Sequence, residues 1–244
     1  MVTAYDALFA GIVDEAGVDL ILVGDSVATV LGGQRTTLGA SMEQMEYHVS
    51  MVAAAHPRAL VVGDMPFGSY QASTDDAVRN AVRLVKAGAE VVKLEGGQHV
   101  ADAIAAIVAA DIPVMGHVGL TPQSYHRMGG NRIQGRDDDG AERVAADARA
   151  VTGAGACSLV IEGVPSPLAA RITQESPVPT IGIGAGASCD GQVLVLHDLL
   201  GLSPRSPSFA RAWVDLRAAA TDAVARYADE VRDGSWPDAG HSFT

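Results

Sequence analysis

The run Asp75-Asp-Ala-Val-Arg-Asn-Ala-Val-Arg-Leu-Val-Lys-Ala87, a three-residue break and then Val91-Val-Lys-Leu-Glu95 set two periodicities side by side. The first is Ala-rich with the spacing of an amphipathic helix. The second is a short apolar run rich in β-branched residues, as a buried parallel strand is. The same pair recurs in both directions. Strand-like runs fall at 20–23, 59–62, 91–94, 112–115, 159–161, 180–183 and 193–196, and helix-like stretches at 7–16, 42–55, 75–87, 100–110, 141–152 and 167–174. Residues 1–4 read as a further strand, shortened at its start, so about eight βα units can be counted. That number predicts an α/β chain folded as a closed (β/α)8 or TIM barrel, with an open doubly wound sheet as the alternative.

A length of 244 residues suits one such barrel, expected over residues 1–202. Residues 203–208 are a Pro and Ser turn, and an amphipathic stretch at 209–231 predicts an appended C-terminal helix, so 203–244 is read as an extension of the same domain. The formal net charge of −12, with no block of Lys and Arg, argues against nucleic acid or an anionic membrane as partner. The two cysteines, Cys157 and Cys189, are too few for a disulfide framework and are expected to be reduced thiols. Neither a signal peptide nor a membrane-spanning run is visible, which predicts a soluble cytoplasmic protein.

Catalytic groups of a barrel gather where the strands end, because the loops there share one mouth. Asp25-Ser26 follows the second run, Asp64 the third, Lys93 and Glu95 close the fourth, His117 follows the fifth and Glu162 ends the sixth. Each acid alone could be a helix cap or turn residue; six ionisable groups at one end are harder to explain so. Strand alternation puts Lys93 and Glu95 on one face. Asp25, Asp64 and Glu95 would repel one another unless a cation sat among them, and all-oxygen ligation suits Mg²⁺, with other divalent ions as alternatives. A zinc site is disfavoured, since no His-Glu-x-x-His occurs. His117 is as readily a structural hydrogen-bonding residue as a catalytic one. The glycines of Gly182-Ile-Gly-Ala-Gly186 fit close backbone packing better than anion binding.

Eight stretches, Thr3-Ala-Tyr-Asp6, Gly24-Asp-Ser26, Asp64-Met-Pro-Phe-Gly-Ser-Tyr-Gln71, Val92-Lys-Leu-Glu-Gly-Gly97, Gly116-His-Val-Gly-Leu-Thr-Pro-Gln-Ser124, Gln134-Gly-Arg136, Gly182-Ile-Gly-Ala-Gly186 and Asp190-Gly-Gln192, run in order through nearly the whole chain. Together they resemble the ketopantoate hydroxymethyltransferase family, as does the closing His241-Ser-Phe243. The resemblance implies a barrel of the phosphoenolpyruvate/pyruvate superfamily and a transfer from methylenetetrahydrofolate to 3-methyl-2-oxobutanoate, giving 2-dehydropantoate on the way to pantothenate. It implies Asp25, Asp64 and Glu95 as metal-site acids, and Asp25, Ser26, Asp64, Lys93 and His117 as substrate contacts. Glu162 matches the proton acceptor, and a homodecamer is implied. The sequence departs from the family's pattern at Val27-Ala28, in the glycine-enriched segment up to Gly39, and at Gly163, where Cys is usual. The family also carries an N-terminal helix that would precede Met1.

The residue types suit that chemistry. Burial of Glu162 in a mostly apolar mouth would raise its pKa and make it a better base. A Schiff-base role for Lys93 is disfavoured, because surrounding carboxylates favour its protonated form. A metal-dependent C–C lyase of the same superfamily, and an impaired barrel serving as an assembly subunit, are the remaining alternatives.

Overall fold

Eight parallel strands in sequential order form the barrel wall of the computed structural model, which describes residues 1–243. They are β1 (Val2–Thr3), β2 (Leu20–Val23), β3 (Leu60–Asp64), β4 (Val91–Glu95), β5 (Val114–Gly119), β6 (Ser158–Glu162), β7 (Thr180–Ile183) and β8 (Gly191–Gln192). A parallel bridge between Val2 and Leu194 joins the two edges and closes the sheet. The Thr3 N–H donates to the Leu194 carbonyl at 3.2 Å, so no strand edge is left open there.

The barrel helices are α1 (Ala7–Glu15), the short α2 (Val27–Val30), α3 (Met42–Ala53), α4 (Thr74–Ala87), α5 (Ala101–Ala109), the short α6 (Tyr125–Met128), α7 (Asp138–Gly153) and α8 (Ser166–Glu175). Several begin at side-chain caps: Asp6 accepts from the Phe9 N–H, Ser41 and Gln44 form a reciprocal capping box, and Asp137 accepts from the Gly140 N–H. Each satisfies a backbone donor that the helix itself cannot.

The barrel interior carries Leu22, Val62, Val91, Met115, Val160, Ile181 and Val193, one from each successive strand position, buried against one another. Fully burying such a side chain contributes about 1.5–3 kcal/mol. Since side chains alternate along a strand, the residue two places further on points inward as well. Above Val62 stands Asp64, above Val91 stand Lys93 and Glu95, above Met115 stands His117, and above Val160 stands Glu162. The apolar layer thus fixes the direction of every charged residue in the mouth. The other strand face packs on the helices so closely that a Cβ at Gly116 of β5 would collide with Val151 of α7.

Two boundaries differ from expectation. The last strand was expected at 193–196, but its ladder lies at Gly191–Gln192, because the Asp190 carboxylate accepts from the Thr180 N–H (2.8 Å) and hydroxyl (3.0 Å) and pins the strand earlier. Leu196 already begins the short helix α9 (Leu196–Leu199). The C-terminal helix, expected at 209–231, is α10 (Leu216–Asp233), which starts where the Asp215 carboxylate accepts from the Ala218 N–H at 2.9 Å. Met1–Val195 forms one compact unit and the residues from Leu196 onward another. Gly186 has a φ of +83°, and a Cβ there would strike Ser166, which accords with the close-packing reading of that glycine loop. Both cysteines are free, Cys157 exposed and Cys189 half-buried. Among the described residues no helix is long and apolar enough to cross a membrane.

Candidate active site

The charged residues anticipated in the mouth reach it from the ends of β2 to β6, with Lys93 and Glu95 sharing β4. Asp64 ends β3, Glu95 ends β4, His117 lies near the end of β5 and Glu162 ends β6. Register places Lys93 beside Asp64, and His117 beside Glu95. Asp25 enters from the turn after β2, its N–H donating to Asp64 Oδ2 at 3.1 Å. Lys93 Nζ donates to Asp64 Oδ1 at 2.6 Å and lies 3.9 Å from Glu95 Oε1. His117 stands between two acids, with Nδ1 3.5 Å from Glu95 Oε1 and Nε2 3.2 Å from Glu162 Oε2. Neither imidazole contact has hydrogen-bond alignment, so these are charge contacts first. Ser26 stands slightly apart, its hydroxyl 2.8 Å from the Tyr5 hydroxyl, with His48 Nδ1 2.7 Å from the Tyr5 carbonyl.

Asp25, Asp64, Lys93, Glu95 and His117 are all buried. Glu162 keeps 15% of its side chain exposed, more than the other acids of the cluster, and faces the His117 imidazole. Burial, then the Asp64 and Glu95 charges, push the Asp25 carboxyl well above the usual carboxylate range. Burial also raises Asp64, against the pull of Lys93. Burial works against ionised Glu95, but the charges of His117 and Lys93 and the Gln123 N–H outweigh it and hold that carboxyl low. Burial opposes charge on Lys93, yet Asp64, Glu95 and Asp25 more than offset it and keep the ammonium protonated to high pH. That state rules against an amine nucleophile. His117 follows the same logic, burial lowering it and chiefly the Glu95 charge pushing it up to about 9.

Two residues at the centre were not foreseen. Gln123, in a tight turn at Pro122–Ser124 after β5, donates through Nε2 to Asp25 Oδ2 (2.9 Å) and the Met65 carbonyl (3.0 Å). Its backbone N–H donates to Glu95 Oε2 at 2.9 Å, and its Oε1 accepts from the Tyr70 hydroxyl at 2.6 Å. Tyr70 in turn accepts from the Glu95 N–H at 3.1 Å. Both fall inside stretches that carry the family resemblance, but as uncharged polar loop residues they show no pattern that separates them from turn-formers.

With every carboxylate ionised and Lys93 and His117 protonated, four acids meet two cations, a formal excess of two negative charges that one divalent cation would balance. The donors are all oxygens, as a hard cation requires. Among the described residues no three His, Cys, Asp or Glu side chains close on a common point. Asp64 accepts hydrogen bonds through both oxygens and Asp25 and Glu95 through one each, and Mg²⁺ commonly takes only one or two direct carboxylates and completes its shell with water. By charge and donor chemistry the residues fit such an ion.

Residues 1–239 match the family model for ketopantoate hydroxymethyltransferase. A 3-methyl-2-oxobutanoate hydroxymethyltransferase of Geotalea uraniireducens is 57% identical across all of this chain and 92% of its own length, and that of Geobacter sulfurreducens is 56% identical over the same shares. The fold is also that of 2,3-dimethylmalate lyase, a PEP mutase/isocitrate lyase superfamily member, with a TM-score of 0.60, 19% identity and coverage of 96% of this chain and 82% of the other. By the match over residues 1–239 and these relatives, the chain belongs to the ketopantoate hydroxymethyltransferase family.

Proposed function

We propose that the chain moves a one-carbon unit from methylenetetrahydrofolate to 3-methyl-2-oxobutanoate, with water supplying the hydroxyl, to give 2-dehydropantoate and tetrahydrofolate for pantothenate synthesis. The observation that carries this reading is the meeting of Asp25, Asp64, Lys93, Glu95, His117 and Glu162 at the ends of successive strands. Asp25, Asp64 and Glu95 would hold Mg²⁺, with water completing its shell. A bound ion of that kind withdraws charge from a 2-oxo acid and acidifies its neighbouring C–H.

The protein's own groups do the rest. Glu162, the most open acid of the cluster, takes the proton from C3 of the oxo acid, and His117 fixes its direction from 3.2 Å. Lys93 stays an ammonium and offsets the charge of the resulting enolate. The Ser26 hydroxyl, 2.8 Å from the Tyr5 hydroxyl, would orient the substrate carboxylate. The enolate carbon then attacks the folate-borne carbon. As it does so one folate C–N bond breaks and Glu162 returns its proton to that nitrogen; water then displaces the second nitrogen, its oxygen forming the hydroxyl and its proton passing to the nitrogen that leaves as tetrahydrofolate. Exposed Leu8 and Ile12 on α1 and Tyr47 on α3 support a homo-oligomer, for which a decamer in the cytoplasm is the proposed form.

The test is formation of 2-dehydropantoate from the two substrates with Mg²⁺ present and after EDTA. Product that appears with the metal and stops on chelation is the expected result; no product from the Mg²⁺-loaded protein overturns the reading.

A further inference from the structure

One stretch of the sequence has no part in the acid cluster, Gln134-Gly-Arg136, and it lines a cavity of about 610 Å³ at the carboxyl ends of β4 and β5. That volume lies within the range of about 300–1,000 Å³ usual for small-molecule pockets. The cavity begins where the cluster ends. Gly96 and Gly97 follow Glu95, while Gly119 and Thr121 lie between His117 and Gln123. At Gly119 a Cβ would collide with the Glu162 carbonyl, so this wall and the proposed base share a boundary.

The lining has a distinct charge character. Arg127, Arg136 and Arg143 face the cavity, and among the described residues none of the three forms an ion pair. In the same barrel Arg58, Arg79, Arg83, Arg149 and Arg171 do, while among the described residues Arg35 and Arg132, outside this lining, do not. The two acids of the lining are already engaged: Asp137 accepts from the Gly140 N–H at 2.6 Å and Asp147 from the Gln98 N–H at 2.9 Å. Thr121 is only 3% exposed, and its hydroxyl has no partner. A buried hydroxyl left unpaired is uncommon and marks a place that a ligand group can complete.

We propose that this cavity seats the one-carbon donor, with the acidic glutamate end of a reduced folate against Arg136 and Arg143 and its reactive end at the rim formed by Gly96 and Gly119. The inference rests on the function proposed above and adds to it the place of the second substrate. An elongated dianionic molecule that must deliver its carbon beside Glu162 needs cations away from the acid cluster, whose excess negative charge would repel its carboxylates. This neighbouring cavity supplies them.

The experiment uses the Mg²⁺-loaded protein and two readouts. The first is KM for methylenetetrahydrofolate in the monoglutamate and triglutamate forms. The second is exchange of the C3 hydrogen of 3-methyl-2-oxobutanoate into D2O without folate, followed by NMR. In the double variant Arg136→Ala/Arg143→Ala, KM for the folate rises about tenfold, as expected for lost charge-assisted contacts. The triglutamate form loses more, and hydrogen exchange stays within about twofold of the parent. Arg136→Lys, which keeps the charge, recovers part of the loss. Unchanged folate KM in the double variant, or a matching fall in exchange, overturns the placement while leaving the activity intact. Absence of both turnover and exchange in the unsubstituted protein instead takes down the function on which it rests.

Discussion

Gln123 joins three strand ends through five hydrogen bonds, so its removal tests how much of the mouth is held by neutral groups. Gln123→Leu keeps the volume and the backbone N–H to Glu95, but strips Asp25 of its amide donor and leaves the Tyr70 hydroxyl without its 2.6 Å acceptor. Groups that orient metal ligands commonly account for 10–100-fold in affinity or activity. The expected outcome is a fall in kcat of about that size, with weaker Mg²⁺ binding by calorimetry and an unchanged circular dichroism spectrum; parent-like kcat would remove Gln123 from the site. Asp64→Ala should be harsher, since it takes the Lys93 partner as well as a ligand oxygen, and Mg²⁺-dependent turnover should be lost in a folded barrel. Glu162→Gln separates a different step. It should stop C3 hydrogen exchange while titrations still show Mg²⁺ and oxo acid binding, and exchange at the parent rate would deny Glu162 the role of base.

At the level of strands and helices, residue types alone foretold most of what places these side chains. Alternation within Val91-Val-Lys-Leu-Glu95 already put Lys93 and Glu95 on one face, and the core residue Val91 beneath them fixes that face as the inner one. The last strand was less legible, because its position depends on a hydrogen bond from Thr180, ten residues away, that no local pattern contains. Gln123 and Tyr70 were illegible for a similar reason: their partners come from other loops, and only the folded barrel brings those together. The closeness of His117 to Glu162 was equally unreadable, because the two lie on neighbouring strands at different register positions and meet only through their side chains. Glycine at 116 illustrates the packing that such register demands. Gly116→Ala would drive a methyl into Val151, and overpacking of this kind costs about 1–3 kcal/mol. For a chain of this size that corresponds to a drop in Tm of roughly 2–4 °C per kcal/mol. Differential scanning calorimetry of the variant should show it, with per-molecule activity retained at 25 °C; an unshifted melt would mean that α7 can move away from β5 without cost.

Across the whole molecule, the charge imbalance of the mouth becomes a dependence of stability on pH and metal. His117 is pushed up to about 9 from an ordinary value of 6.5, so its stabilising contribution is complete below 6.5 and disappears as pH rises through about 9. Asp25, also raised, acts in the same direction from the ordinary carboxylate range upward. Glu95, held low, contributes above that range and loses its contribution only in acid. The metal-free protein should therefore lose stability between pH 6.5 and 9, by a few kcal/mol for His117, since each tenfold gain in proton affinity on folding is worth about 1.4 kcal/mol. His117→Gln should flatten that decline. A divalent ion bound only by the folded state adds about 2.7 kcal/mol at a concentration 100-fold above its Kd. Because protons compete with it for Asp25 and Asp64, the gain from Mg²⁺ should be larger at pH 8.5 than at pH 6.5. Urea unfolding at both pH values, with EDTA and with excess Mg²⁺, measures the four stabilities needed. An equal Mg²⁺ increment at the two pH values, or none at either, would mean that the excess negative charge in the barrel mouth is not what receives the ion.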